Sequence, residues 1–123
     1  MEREIKFRGW QDNQWIYGLL EKDHKTGIYY IRPEYATNNC AVDQDSIGQF
    51  TGLKDADGKE IYDGDILFQE ENEDFEYTVA KVFWQKDQAG WFVANSKGAY
   101  HLGDFLHYYD QCKVQNLEFK FLQ

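Results

Sequence analysis

Cysteine is scarce in this sequence, and the two present, Cys40 and Cys112, lie far apart with no Cys-x-x-Cys spacing. That excludes a disulfide framework and a zinc ribbon and leaves two free, buried thiols as the expectation. No window approaches the about 18 apolar residues of a membrane span, and the opening Met1-Glu2-Arg3-Glu4 lacks the apolar region of a signal peptide. The expected compartment is the cytoplasm, with no membrane partner. Basic residues are few and scattered, 13 Lys and Arg against 22 Asp and Glu for a net charge of −9. Direct nucleic-acid binding, which needs cations clustered on one face, is thereby disfavoured. Proline occurs once, at Pro33, where its missing N–H ends a strand or confines it to a sheet edge.

Reaction motifs are missing as well. Ser46 and Ser96 stand outside any Gly-x-Ser-x-Gly elbow, and no Gly-x-x-x-x-Gly-Lys or Gly-x-Gly-x-x-Gly loop offers a phosphate or dinucleotide cradle. Cys40 paired with His24 lacks an identifiable orienting group. His24, His101 and His107 form no His-x-x-x-His pair, and a six-residue step would put the last two on different sides of a helix. The sequence therefore predicts no catalytic residue, no cofactor and no metal site.

What the chain has in quantity is aromatic side chains, 18% of its residues, and turn signals. Aromatics favour strands and fill cores. The 123 residues suit a single domain, with no linker or internal repeat to divide it. The densest stretch is residues 50–67, where Asp57-Gly58 and Asp63-Gly64 are each followed by residues of strand character. Asp-Gly between alternating apolar and polar residues specifies a tight β-turn.

This stretch also resembles a known family. Thr51-Gly52-Leu53-Lys54-Asp55, followed by Gly58-Lys59-Glu60-Ile61-Tyr62-Asp63-Gly64-Asp65-Ile66, is similar to the signature of the YopX family, small proteins encoded mainly by phages and prophages. The resemblance extends upstream through Ser46-Ile47-Gly48-Gln49-Phe50, Val42-Asp43, Trp15-Ile16-Tyr17-Gly18 and Glu4-Ile5-Lys6-Phe7-Arg8-Gly9. Near the end, Lys113-Val114-Gln115-Asn116-Leu117-Glu118 keeps the family's asparagine and replaces the glycine before it. The resemblance implies a mainly β protein containing an SH3-like barrel and brings with it no biochemical activity and no catalytic residue.

Taken in order, Ile5, Phe7 and Gly9 alternate with Lys6 and Arg8, a strand with one face buried, and residues 11–14 turn the chain into a second strand at 15–20. Residues 28–31 form a third. Residues 34–39 read as irregular, and residues 42–48 as a turn rather than a helix, although Asp43 and Asp45 could cap one. Strands are predicted on either side of Asp57-Gly58 and after Asp63-Gly64. The acidic run Glu70-Glu71-Asn72-Glu73-Asp74 is a hairpin loop. The longest strand follows over residues 75–84, apolar on both faces and hence central, and residues 91–94 return antiparallel to it. Leu102, Phe105, Leu106 and Tyr109 fall at helical spacing and predict the only helix. Leu117, Phe119 and Phe121 close the chain with a strand signal. The reading is a mainly β domain over residues 1–123: an N-terminal hairpin region to about residue 49, then an SH3-like barrel with one short helix.

Asp55, Asp57, Glu60, Asp63 and Asp65 crowd the signature, and a divalent cation could be held by several such oxygens. The EF-hand register fails: with Gly58 at loop position six, Leu53 and Gly64 occupy the outer positions that need acidic ligands. These carboxylates are expected to cap turns. The functional expectation is a non-enzymatic binding or accessory module. One alternative is an acidic decoy for a basic, nucleic-acid-binding host protein, using residues 70–76 with the signature carboxylates. The other is a metal-dependent hydrolase built on the signature carboxylates.

Overall fold

The computed structural model describes residues 4–34 and 36–116. Among the described residues eleven strands form two antiparallel sheets, and one α-helix packs on the second. The chain enters the first sheet through β1 (Phe7–Gln11) and β2 (Gln14–Lys22). The turn between them is the pair Asp12 and Asn13, with φ of 47° and 67°. Two left-handed residues make the loop whose twist matches that of a two-stranded ribbon, and Asp and Asn tolerate that conformation. Trp10 and Trp15 face each other just inside this turn, ring centroids 5.1 Å apart and edge to face. Such a cross-strand aromatic pair adds about 0.5–1.5 kcal/mol beyond its buried area.

The sheet widens through β3 (Tyr29–Pro33) and the two-residue β4 (Cys40–Ala41) on one side, and through β5 (Gly48–Lys54) and β6 (Glu60–Tyr62) on the other. Its order is β4-β3-β2-β1-β5-β6. The hairpin β1-β2 thus joins β5 laterally, pairing Phe7 with Gln49 and Arg8 with Gly48. Pro33 ends β3, as its missing N–H requires. Residues 44–46 form one 3₁₀ turn, where the sequence predicted a turn without helix. Asp43 does cap it, accepting from the Asp45 N–H at 3.0 Å, and Gly48 then restricts it to that single turn.

At Asp63-Gly64 the chain passes to the second sheet. The turn is closed by the Asp65 N–H donating to the Tyr62 carbonyl, with Gly64 at φ 89°. Gly48 packs directly against this corner; a Cβ there would lie 2.7 Å from the Asp63 carbonyl oxygen. Beyond it run β7 (Ile66–Gln69), β8 (Thr78–Gln85), β9 (Gly90–Asn95), β10 (Gly98–His101) and β11 (Lys113–Val114), in the order β10-β9-β8-β7-β11.

β8 is central, as predicted, but it starts at Thr78 and is shorter than β2. Asn72 Oδ1 accepts from the Asp74 and Phe75 N–H groups, which extends the acidic loop, and the Phe75 ring packs on Tyr108 and Tyr109 instead of entering the ladder. Nor are both faces of β8 buried: Ala80 and Val82 point into the core while Val79 and Trp84 are exposed. Trp84 sits opposite Trp91 at 5.1 Å, again edge to face and again next to a turn.

The main core gathers Leu67, Val82 and Val93 from the second sheet with Ile61 from the first. Helix α1 (Leu102–Tyr108) covers it, burying Leu102 and Phe105 one turn apart, with Leu106 and Tyr109 partly buried. Each fully buried aliphatic side chain contributes about 1.5–3 kcal/mol. The strand signal at residues 117–121 lies outside the described residues.

The Gly64 conformation gives a direct test of this architecture. Gly64→Val should lower unfolding free energy by about 1–3 kcal/mol in chemical denaturation, because a β-branched residue is strained at positive φ. Gly103→Ala, within α1 and with no neighbour near its added Cβ, should leave stability unchanged or raise it by up to about 1 kcal/mol.

Candidate ligand cleft at the junction of the sheets

Arg8 was expected on the exposed face of its strand, opposite Phe7. It is buried, with its side chain 6% exposed. The reason is the corner that follows β6. Arg8 Nη1 donates to Asp65 Oδ1 at 2.7 Å, and Asp65, itself 2% exposed, uses Oδ2 to accept the Tyr62 N–H at 2.7 Å. The guanidinium lies 4.1 Å from the Trp15 ring centroid and 5.3 Å from that of Tyr62. Its Nη2 reaches the Asp63 carbonyl at 3.4 Å, whereas Nε is buried with no hydrogen-bond partner among the described residues. Burial pushes the Asp65 carboxyl above the ordinary carboxylate range, with Arg8 and the Tyr62 N–H pulling the other way. The Asp63 carboxyl is also raised by burial.

The other signature carboxylates have equally definite partners. Asp55 Oδ1 accepts the Asp57 and Lys59 N–H groups at 2.9 and 2.8 Å, and Oδ2 accepts the Val114 N–H at 2.9 Å. It thereby organises the Asp57-Gly58 turn and ties that turn to β11. Glu60 binds Lys6 Nζ at 2.9 and 3.1 Å and accepts the Tyr62 hydroxyl at 3.0 Å. Asp57 is exposed, 3.7 Å from Lys113. Asp55, Asp57, Glu60 and Asp65 therefore turn to separate partners, and no three His, Cys, Asp or Glu side chains among the described residues are grouped to hold a metal.

The remaining candidates are also dispersed. His101 stacks on Phe92 at 4.3 Å, while His24 and His107 are exposed on other elements. Ser46 is buried, its Oγ accepting the Trp10 N–H at 2.7 Å. Cys112 is buried and free, its thiol pushed up to about 12 by burial, the reverse of a reactive thiolate. Cys40 is free but only half-buried.

Beside the Arg8–Asp65 pair the two sheets leave a cleft of about 340 Å³. Trp15, Tyr17 and Tyr62 supply aromatic lining, and Lys6, Arg8 and Lys59 supply positive charge against Glu60 and Asp65. Tyr17 and Tyr62 lie 5.4 Å apart, and Tyr17 is 40% exposed. Lys59 has one long contact, 3.4 Å to Asn116 Oδ1. Sequence reasoning missed this site. Trp15-Ile16-Tyr17 read as a central strand, and nothing local marks Arg8, Trp15 and Lys59 as neighbours; the signal available was one arginine in the apolar alternation of β1.

A mainly β scaffold of two antiparallel sheets, joined at an aspartate–glycine corner with an aromatic cleft beside it, is the class of protein these features define. No described helix is long and apolar enough to cross a membrane. The chain belongs to the YopX protein family, whose family model matches residues 6–118. No curated protein matches the chain.

Two predictions follow the chemistry of this junction. Arg8→Met leaves Asp65 buried without its cation and should destabilise the fold by about 3–5 kcal/mol, while adding Asp65→Asn should restore part of that loss, since the amide oxygen can still accept the Tyr62 N–H. A double variant no more stable than Arg8→Met would contradict the pairing. Alkaline pH should also unfold the protein. Tyr17 and Tyr62 are raised above their ordinary 10.0, chiefly by burial; Lys6 is raised above 10.5, chiefly by its hydrogen bond to Glu60; and Cys112 is raised above 9.0 by burial. All four keep their protons longer in the folded chain, so their contribution is intact below about pH 9 and is lost as pH climbs past it. The melting temperature should be lower at about pH 10.5 than at about pH 8, with tyrosinate absorbance rising together with unfolding.

Proposed function

We propose that this chain is a non-enzymatic binding module of phage or prophage type, acting in the cytoplasm, and that its ligand site is the cleft beside Arg8. In this reading the strands from Phe50 onward are an SH3-like barrel against which the N-terminal hairpin packs. The observation that carries the proposal is the engagement of Asp55, Glu60 and Asp65 by backbone N–H groups, Lys6 and Arg8, next to an open aromatic cleft. Carboxylates held this way build a wall rather than attack a substrate. A metal-dependent hydrolase would need Asp63 and Asp65 to share an ion, yet both Asp65 oxygens already have partners, and this reading is the weaker one.

A second reading has its own support. Glu70, Glu71, Glu73, Asp74 and Glu76 are all exposed, and Phe75, within this run, joins Tyr108 and Tyr109 in an aromatic cluster beside exposed Tyr77. Carboxylates with adjacent aromatics suit a basic host protein, as the decoy hypothesis requires.

The two separate experimentally. After equilibration with host lysate at moderate salt, native mass spectrometry should show a bound species that Tyr17→Ala loses while keeping its circular dichroism spectrum. Retention unchanged by Tyr17→Ala overturns the cleft reading. Loss of a bound protein only when Glu70, Glu71, Glu73 and Asp74 are neutralised together transfers the function to the acidic loop.

A further inference from the structure

We infer that β10 (Gly98–His101) is the edge through which two copies of this chain associate, antiparallel about a two-fold axis, joining their five-stranded sheets side by side. None of its residues lines the cleft, so the inference does not depend on what the cleft binds.

The register of the last hairpin leaves hydrogen-bonding groups open. Only Ser96 and Lys97 join β9 to β10, and Asn95 is the partner of Gly98. A two-residue loop makes its closing pair a hydrogen-bonded one, after which non-hydrogen-bonded and hydrogen-bonded pairs alternate. Ala99 opposite Ala94 and His101 opposite Phe92 are therefore non-hydrogen-bonded pairs. Their N–H groups and the Ala99 carbonyl point away from β9, on the side where the sheet ends. Neither N–H has a partner among the described residues, and all four residues of β10 are exposed.

An open row of donors and acceptors is a template for another strand, and soluble proteins blunt such edges with short strands, charge or proline. The other three edges are blunted. β4 and β11 are two residues long, and on β6 the Tyr62 N–H is taken by Asp65 while Glu60 holds Lys6. β10 has neither proline nor charge, and the uncharged run continues to Gly103 in a protein of net charge −9.

The occupant is a second copy because the edge is complementary to itself. Pairing Ala99 with His101 of the second copy, and His101 with its Ala99, uses the outward groups at both positions and sets a small side chain beside each imidazole. Tyr100 then faces Tyr100 of the second copy in a non-hydrogen-bonded pair, with Cα atoms about 4.5 Å apart. Tyr100 is 43% exposed in the single chain, so this contact removes apolar surface from water. Antiparallel pairing also sets the Lys97 end of each strand beside the Asp104 end of the other, and both side chains are exposed. A four-residue ribbon buries well below the about 800 Å² per partner of a stable complex, so association is weak and concentration-dependent.

Sedimentation equilibrium of the full chain between about 10 µM and 1 mM should show a monomer–dimer equilibrium with a dissociation constant on the order of 0.1 mM. Ala99→Pro removes a donor that the ladder with β9 does not use. Its circular dichroism spectrum should be unchanged while dimerisation weakens about 10-fold or more. Tyr100→Asp, which sets two carboxylates face to face, should weaken dimerisation at least as much. Ala41→Asp, on the exposed position of β4, is the control and should leave dimerisation unchanged. In hydrogen exchange followed by NMR, the Ala99 and His101 amides should gain protection as the concentration rises through the same range. A chain that stays monomeric at about 1 mM overturns the inference. So does a dimer that forms equally well with Ala99→Pro and with Tyr100→Asp, since its contact would lie on another surface.

Discussion

The buried ion pair between Arg8 and Asp65 joins residues 57 positions apart at a distance of 2.7 Å. Taking two charges out of water costs several kcal/mol per ion, and the cost is offset only when geometry and supporting hydrogen bonds are good. Here the support consists of the Tyr62 N–H on the second carboxylate oxygen, the Trp15 and Tyr62 rings near the guanidinium, and a corner that Gly64 turns at φ 89°. Moving the second sheet relative to the first would strand one charge, so β1 and the start of β7 are held in one arrangement. The cleft follows from that arrangement, because its lining comes from both sides of the junction.

Asp55 does the corresponding work at the other end of the signature. Its two oxygens accept three backbone N–H groups, two from the turn it begins and one from Val114 on β11. The Ala56 N–H also donates to the Cys112 carbonyl at 3.0 Å. A turn between neighbouring strands thereby becomes an anchor for the edge of the second sheet. The density of aspartates between residues 55 and 65 thus has a physical account that needs no reaction: short acceptors saturating backbone donors at two turns. Glu60 extends the logic to Lys6 and the Tyr62 hydroxyl.

Charge is distributed unevenly as a result. Buried Asp55 and Asp65 add little to the surface field, whereas the exposed run at residues 70–76 adds much. A net charge of −9 therefore coexists with a junction where Lys6 and Arg8 are held by Glu4, Glu60 and Asp65, a pairing that composition alone cannot reveal.

Local chemistry determined much of the fold from sequence. Asp12-Asn13, Asp57-Gly58 and Asp63-Gly64 are turns because their residues tolerate conformations that other side chains resist. The spacing of Leu102, Phe105, Leu106 and Tyr109 made a helix, and the alternation of β1 and the apolar runs of β2 and β8 made strands. The short strands β4, β10 and β11 left no such mark: β4 and β11 are two residues long, too short to show alternation, and β10 is exposed at every position. Only the tertiary structure decided that Arg8 is buried, that Asp55 and Asp65 are acceptors rather than surface charges, and that Trp15, Tyr17 and Lys59 share a cleft. A period of two says which side chains share a face, but whether that face meets water depends on what packs against it. Electrostatic pairing likewise acts only after folding has brought charges far apart in sequence within hydrogen-bond distance.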